Sequence, residues 1–163
     1  MGLFLAISII VLWAAHLFYS LGRVDPVLSN PWLYVHLLFQ TYLFTGLFIT
    51  GHDAMHGTVA KNRFVNQVTG YLTVFLYAGM WYRKLIRYHG MHHMYPGTGK
   101  DPDYSTGSQN CFVCWFRFTM HYLTWWQLAI MAGIYNLLRI WYDDWALIAF
   151  WVIPAVLSTF QLF

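Results

Sequence analysis

Glutamate is missing from the 163-residue sequence, and all six acidic residues are aspartates. Helical sites in which glutamate carboxylates bridge two metal ions need this residue. So do zinc proteases, in which the glutamate of a His-Glu-x-x-His motif acts as the general base. A metal site in this chain is therefore expected to be rich in histidine rather than bridged by carboxylates.

Charge of either sign is also scarce. Only 9% of the residues are charged, while 59% are hydrophobic and 21% are aromatic. Ordinary soluble domains are about 25% charged. The mean hydropathy of +0.47 therefore indicates a chain that resides in a lipid bilayer. The net charge of +3 is small and dispersed, so we expect no nucleic-acid partner.

Cysteine occurs only at Cys111 and Cys114. A lone Cys-x-x-Cys without a second pair is weak evidence for a zinc site or for dithiol chemistry. We therefore assign both cysteines to packing.

Four apolar stretches dominate what the sequence does contain: residues 2–21, 32–51, 123–138 and 145–163. The first two each run for twenty residues without a charge, and such a helix crosses roughly 30 Å of hydrocarbon. We predict an all-α membrane protein, one domain over residues 1–163, with about four transmembrane helices plus interfacial helices. Pro154 is expected to kink the last span.

The basic residues are distributed unevenly about these spans. Seven of the nine lie between the second and third spans, and only Arg23 and Arg139 lie in the two opposite loops. Basic residues are enriched in cytoplasmic loops of membrane proteins. We therefore predict a multi-pass protein whose segment 52–122 is cytoplasmic. The seven are Lys61, Arg63, Arg83, Lys84, Arg87, Lys100 and Arg117.

The apolar stretch 65–82 inside this segment has two interpretations. As an additional crossing it would separate the histidine clusters on either side of it, so that one metal centre could not use both. We prefer an interfacial or re-entrant helix that stays on one side of the membrane. Residues 94–110, with several glycines and prolines, are expected to form a loop, and residues 111–121 an amphipathic surface helix.

Two short clusters, residues 52–56 and 89–93, hold five of the eight histidines. Helical residues three or four positions apart share a face, so each cluster can direct its imidazoles toward one centre. Neutral imidazole is the commonest protein ligand for iron, copper and zinc. One zinc ion needs only three or four protein ligands, whereas five imidazoles suit two metal ions with open positions. The pattern favours non-haem iron.

The three remaining histidines differ in whether they can approach the predicted metal centre. His36 lies sixteen residues before His52, about 24 Å along a helix, so His36 and His16 are excluded from the metal centre. His121, at the start of the third span, is a further candidate ligand. Asp53 and Asp103 are candidates for accepting a hydrogen bond from the outer ring nitrogen of a ligand.

Several short motifs resemble those of bacterial and cyanobacterial β-carotene ketolases. The likeness begins with residues 45–57, which include the first histidine cluster, and ends with residues 154–163. Between them lie residues 75–78, the His-x-x-His-His box of residues 89–93, Pro-Gly-Thr at 96–98 and Asp-Pro-Asp at 101–103. The likeness is more specific than histidine spacing alone, which fatty-acid desaturases and carotenoid hydroxylases share.

This resemblance implies a membrane di-iron oxygenase with a desaturase-like fold. It would oxidise carbon 4 of each β-carotene ring, giving echinenone and then canthaxanthin. O2 and electrons from reduced ferredoxin or a similar carrier would be consumed, and membrane lipid would surround the site. The metal ligands carried over by the resemblance are His52, His56, His89, His92 and His93.

The apolar carotenoid is expected to enter from the lipid into a hydrophobic slot beside these ligands. Met55, Tyr77, Trp81 and Met91 are candidates for lining that slot. The resembling enzymes also carry a third His-x-x-His-His box, for which this sequence has no counterpart. We therefore expect the chain to be a fragment or a C-terminally truncated form. Other functions left open are a non-catalytic carotenoid-binding or structural membrane protein, a carotenoid hydroxylase and a fatty-acid desaturase.

Overall fold

The computed structural model of the chain describes residues 1–104 and 110–162. Within these ranges the chain is helical and forms no strand, which confirms the predicted all-α class. Residues 105–109 of the predicted loop, and Phe163 at the end of the predicted last span, lie outside the described residues. The helices are α1 (Gly2–Arg23), α2 (Pro31–Met55), α3 (Arg63–Ala78), α4 (Tyr82–Met94), α5 (Cys111–Tyr122), α6 (Trp125–Leu138) and α7 (Asp144–Leu162).

Among the described residues, three helices are long and apolar enough to cross a membrane: α1, α2 and α7. They coincide with three of the four predicted spans. The predicted span 123–138 corresponds to α6, which has only 14 residues and is about 21 Å long. The Thr124 hydroxyl accepts a hydrogen bond from the backbone N–H of Gln127 and so begins a new helix there. The predicted span therefore contains α6 alone, and α5 ends just before it at Tyr122.

Helix α2 lies at the centre of the fold and packs against α1, α3 and α7. Phe44 and Leu47 are fully buried on it, and the Phe44 ring meets the Trp13 ring edge-on at 5.5 Å. The hydroxyls of Thr41 and Thr50 each donate to a carbonyl four residues earlier at 2.8 Å. These bonds satisfy polar groups that would otherwise be costly to bury.

Helices α3 and α4 form a hairpin that returns to the end of α2. The Asn66 amide, near the start of α3, donates a hydrogen bond to the Ala54 carbonyl at the end of α2. Helix α3 then runs back along α2 until the Tyr77 ring packs against Phe48, with ring centroids 5.3 Å apart. Gly79 reverses the chain with a left-handed φ of 64°.

Two glycines allow the helices of this hairpin to pack closely. A Cβ atom at Gly70 would lie 2.2 Å from the ring of Tyr82, which is itself buried. A Cβ atom at Gly51 would lie 2.5 Å from a methyl group of Val74. The first glycine sets the spacing of α3 and α4, and the second sets the spacing of α2 and α3.

Helix α7 contains a π-helical segment, Ile148–Val152, just before Pro154. Proline lacks a backbone N–H, and its ring clashes with the carbonyl four residues earlier. This explains the local change of helical pitch at the position where the sequence predicts a kink.

The second half of α7 is attached to two other helices by hydrogen bonds. The Ser158 hydroxyl donates to the Tyr77 hydroxyl of α3 at 3.1 Å. The Trp115 indole N–H of α5 donates to the Thr159 hydroxyl at 3.0 Å. These bonds attach α3 and α5 to neighbouring residues of α7.

The close approach at Gly70 gives a test of the fold. Gly70→Ala is expected to lower the stability by about 1–3 kcal/mol, because the added methyl group must displace the Tyr82 ring. Thermal unfolding in detergent measures the change. Gly133→Ala is the matched control, since a Cβ atom there meets nothing within 4 Å. Equal loss of stability in both variants would contradict this account of the hairpin.

Candidate metal centre

The two histidine clusters meet where α2 ends and α4 passes. The Nε2 atoms of His56 and His89 lie 2.9 Å apart, and those of His89 and His93 lie 3.0 Å apart. The His52 ring centroid is 4.6 Å from that of His89. One ligand atom from each of His52, His56 and His89 can be chosen so that all three lie within 4.8 Å of one another. Four imidazoles therefore share one small volume.

Local helix geometry produces this convergence. Helix α2 continues through Met55 and His56 follows as its C-cap, so His52 and His56 project from the same end. His89 and His93 lie one turn apart on α4 and occupy one face. The spacing within each cluster comes from the sequence, while the meeting of the clusters comes from the α3–α4 hairpin.

His89 is the most strongly perturbed of these imidazoles. Burial, followed by the nearby His52, His93, His56 and His92 rings, lowers the pKa of His89 to about 4. At neutral pH its ring is therefore uncharged and retains a lone pair. This is the protonation state in which histidine binds a metal ion.

His92 points toward two carboxylates in the loop after α4. Its Nδ1 lies 3.0 Å and 3.1 Å from the two carboxylate oxygens of Asp101, and 3.5 Å from Asp103. Donation of Nδ1–H to a carboxylate would leave Nε2 free with its lone pair. Metal-binding histidines usually have their second nitrogen held in this way.

Asp101 is held firmly by its own loop. It is 6% exposed and accepts backbone N–H groups from Gly97 at 2.8 Å and Asp103 at 2.9 Å. Burial alone would raise the pKa of Asp101, but these hydrogen bonds and His92 outweigh it and hold the pKa below its usual value. Asp101 is thus an ionised acceptor at neutral pH.

Tyr122 extends this network from α5. Its hydroxyl donates to the Asp103 carboxylate, and burial together with that carboxylate raises the pKa of Tyr122. His92, Asp101 and Asp103 also lie close enough to form a second group of ligand atoms. Because both carboxylates already accept hydrogen bonds, the arrangement favours them as partners of His92 rather than as ligands themselves.

Two other candidate residues form no hydrogen bond with these histidines among the described residues. Asp53 lies 3.6 Å from Nδ1 of His52, beyond hydrogen-bonding distance. The exposed His121 packs its ring against Tyr88, with centroids 4.9 Å apart, and belongs to neither group of ligand atoms among the described residues.

His16 and His36 lie elsewhere, as the sequence predicts from their distance along the helices. Nε2 of His16 is 2.9 Å from Nδ1 of His36, and Nδ1 of His16 is 2.5 Å from the side-chain oxygen of buried Gln40. These three residues connect α1 to α2 and satisfy one another.

A largely apolar cavity of about 800 Å³ adjoins the histidines. All five predicted histidines border it, which places the imidazoles at the wall of a space large enough for a sizeable apolar ligand. Helices α2 to α7 all contribute to its lining, for example through Phe48, Leu85, Phe118, Leu128, Val156 and Leu162.

Two of the four residues predicted to line a substrate slot border this cavity. Met55 and Tyr77 do so, while Trp81 and Met91 are not among its described lining residues, and Trp81 is largely exposed.

Two residues of the site were not predicted from the sequence. The role of Asp101 was missed, although the Asp-Pro-Asp motif that begins eight residues after His93 was a usable signal. It also missed Tyr122, for which no local pattern exists.

Comparison with known proteins finds several relatives that are named as ketolases. The beta-carotene ketolase of Paracoccus sp. (strain N81106 / MBIC 01143) is 36% identical over 161 residues, covering 96% of this chain and 64% of that protein. The zeaxanthin 4-ketolase of Chlamydomonas reinhardtii is 36% identical over 174 residues, covering 99% and 39%. The beta-carotene 4-ketolase 3 of Haematococcus lacustris is 41% identical over 126 residues, covering 75% and 39%.

The chain thus spans 64% or less of the length of these three relatives. No solved structure is significantly similar to it. The profile of the fatty acid desaturase family matches residues 29–163, a range that includes both histidine clusters and every helix lining the cavity. The chain is a helical membrane protein that belongs to the fatty acid desaturase family.

Proposed function

We propose that this chain carries the metal-binding and substrate-binding parts of a membrane carotenoid oxygenase that introduces 4-keto groups into β-rings. The observation that carries the proposal is the convergence of five histidines on one wall of a large apolar cavity. The names of the three relatives, all ketolases, supply the reaction class. Residues 1–163 would act as a single domain.

The donor set fits part of a di-iron centre. Desaturase-family proteins generally hold a di-iron centre, and this chain supplies His52, His56, His89 and His93 at one point and His92 beside them. All are imidazoles, which suit iron and leave positions open for dioxygen. Iron bound there would supply dioxygen activation and electron transfer. Asp101 would fix the tautomer of His92, with Asp103 and Tyr122 supporting that carboxylate.

The proposed reaction replaces two C–H bonds at ring carbon 4 by a carbonyl group. Each of two hydroxylations consumes one O2, two electrons and two protons and releases one water. The resulting gem-diol then loses a third water, which leaves the ketone. The electrons require a reduced one-electron carrier of the ferredoxin class.

The cavity would orient the substrate for this reaction. Its apolar walls exclude water and match a hydrocarbon polyene, which dissolves in lipid rather than in water. A β-ring inside it would present a methylene group to the imidazoles at the wall. Met55 and Tyr77 would contact that ring.

We further propose that the histidines lie on the cytoplasmic side of a multi-pass protein. Seven of nine basic residues fall between α2 and α6, on the side where α2 ends. A soluble electron carrier could reach the centre there. The lipid-facing surfaces of α1, α2 and α7 would anchor the site at the membrane.

A second candidate is desaturation of lipid acyl chains. The family match favours it, because an apolar cavity beside a di-iron site would also accept an acyl chain. A carotenoid hydroxylase or a non-catalytic carotenoid-binding protein would share the same cavity. The products distinguish these four functions.

Expression of the complete reading frame in a bacterium that makes β-carotene tests the proposed reaction. We expect 4-keto carotenoids, identified by chromatography and mass spectrometry, together with an unchanged fatty-acid profile. Only 3-hydroxy carotenoids would assign a hydroxylase, and new double bonds in the fatty acids would assign a desaturase. Unmodified pigment bound to an iron-free protein would assign a binding role.

Removal of the central imidazole tests the metal centre. His89→Ala is expected to reduce bound iron at least about tenfold, since even loss of an outer partner of a ligand costs that much. Iron content per purified chain is the measurement. The control is His121→Ala, because that exposed ring lies apart from the cluster. Equal iron loss in both variants would return His121 to the ligand set.

The hydrogen bond to His92 makes a separate prediction. Asp101→Asn is expected to lower iron affinity by roughly 10- to 100-fold, because a neutral amide holds the imidazole less strongly. Asp53→Asn should have a much smaller effect, since Asp53 lies beyond hydrogen-bonding distance of His52. Titration with ferrous iron under anaerobic conditions compares the two. A larger effect at Asp53 would overturn the assignment.

A further inference from the structure

The cavity beside the histidines opens to the surface of the protein. A side chain that both lines a cavity and is exposed marks where that cavity opens, and six of the described residues meet both conditions. Two of them, His56 and His93, belong to the proposed metal centre. The other four, which we call the apolar opening, lie on α5, α6 and α7 and are Phe116, Met120, Leu128 and Val156.

The position of the apolar opening relative to the membrane follows from α7. Val156 lies on this helix, which is long and apolar enough to cross a membrane. Two residues later, the Ser158 hydroxyl is hydrogen-bonded to the Tyr77 hydroxyl, and the Tyr77 ring packs against Phe48. Phe48 precedes His52 by four residues, which is about 6 Å along α2. The opening therefore lies about one helical turn from the histidines, within the membrane-spanning part of the protein.

The chemistry of the apolar opening matches lipid rather than water. None of its four residues is charged, and Phe116, Leu128 and Val156 are 57%, 54% and 50% exposed. Apolar surface is unfavourable in water, whereas surrounding hydrocarbon solvates it. Clusters of exposed apolar side chains mark places where a protein meets a membrane or an apolar ligand. This opening can serve both roles, since it leads from lipid into the cavity.

Helix α5 forms the loosely packed edge of the apolar opening. The structure describes every residue of this helix, and none of them is buried. Its N-terminal half is joined to α7 by the hydrogen bond from Trp115 to Thr159, and the rings of Phe112 and Trp115 pack against Phe160 at 5.8 Å and 5.7 Å. Segments with few buried apolar contacts open at a low free-energy cost. A long, narrow molecule can therefore pass beside α5 without disturbing the core around α2 and α3.

We propose that the apolar opening between α5, α6 and α7 is the entrance through which the substrate passes from membrane lipid to the histidines. This inference rests on the proposed carotenoid oxygenase function. One end ring enters the cavity, while the rest of the polyene stays in the surrounding hydrocarbon, which solvates it equally well. Entry beside His56 and His93, on the proposed cytoplasmic side, would instead require a hydrocarbon to cross water.

A bulky side chain at the apolar opening tests this assignment. Leu128→Trp places a large ring there, and Leu137→Trp is the matched control. Both leucines lie on α6 and are 54% exposed, but Leu137 is not among the described residues that line the cavity.

The measurement follows the passage of β-carotene into and out of the protein. Tagged full-length protein is mixed with phosphatidylcholine vesicles that contain β-carotene and is recovered at timed intervals, and the bound pigment is measured by chromatography. Release is followed in the same way after an excess of pigment-free vesicles is added. We expect Leu128→Trp to slow loading and release alike by about tenfold, which corresponds to about 1.4 kcal/mol of added barrier. The final amount of bound pigment should stay close to that of the wild type.

A second pair of variants makes the result independent of α6. Val156→Trp narrows the opening from α7 and should slow loading in the same way, whereas Leu157→Trp, at an exposed residue outside the described cavity lining, should not. Wild-type rates in both Leu128→Trp and Val156→Trp would overturn this inference alone. A lower final amount of pigment at an unchanged rate would also overturn it, since these residues would then bind the substrate rather than admit it. A wild type that takes up no pigment would overturn the proposed function, and this inference with it.

Discussion

The contact between His56 and His89 is the constraint on which the arrangement of this protein depends. It joins residues 33 positions apart at 2.9 Å. For this contact to form, the intervening chain must leave the end of α2 and return to it. The α3–α4 hairpin does so within a short length because Gly70 and Gly51 let three helices pack with little separation. Close helix packing and the proposed metal chemistry are therefore coupled.

Around this contact, polarity decreases with distance from the histidines. Imidazoles come first, and then the Asp101 carboxylate with its backbone hydrogen bonds. Beyond them lies the apolar cavity. Such an arrangement suits a reaction between a charged centre and a hydrocarbon, because it keeps each in the medium that stabilises it.

Local sequence patterns were sufficient to predict most of the long helices and the arrangement of histidines within each cluster. Uncharged runs predicted α1, α2 and most of α7, and histidine spacing predicted that each cluster has one face. Hydropathy predicted the bounds of α6 closely, but this helix, which begins after the Thr124 cap, has only 14 residues and is not among the three described helices long enough to cross a membrane. The roles of Asp101 and Tyr122 depend on contacts between a loop and distant helices, which spacing along the chain does not encode.

The helices that line the cavity differ in how many of their residues are buried. Helices α2 and α3 contribute many buried residues to the core, whereas α5 contributes none and α6 contributes only Gln127. Substitutions on α5 and α6 therefore replace fewer fully buried side chains than substitutions on α2 and α3 do. The α5 and α6 side of the cavity can consequently change its sequence at a lower cost to folding than the α2 and α3 side can. A scaffold of this kind can change which apolar ligands its cavity accepts while its histidine wall stays fixed.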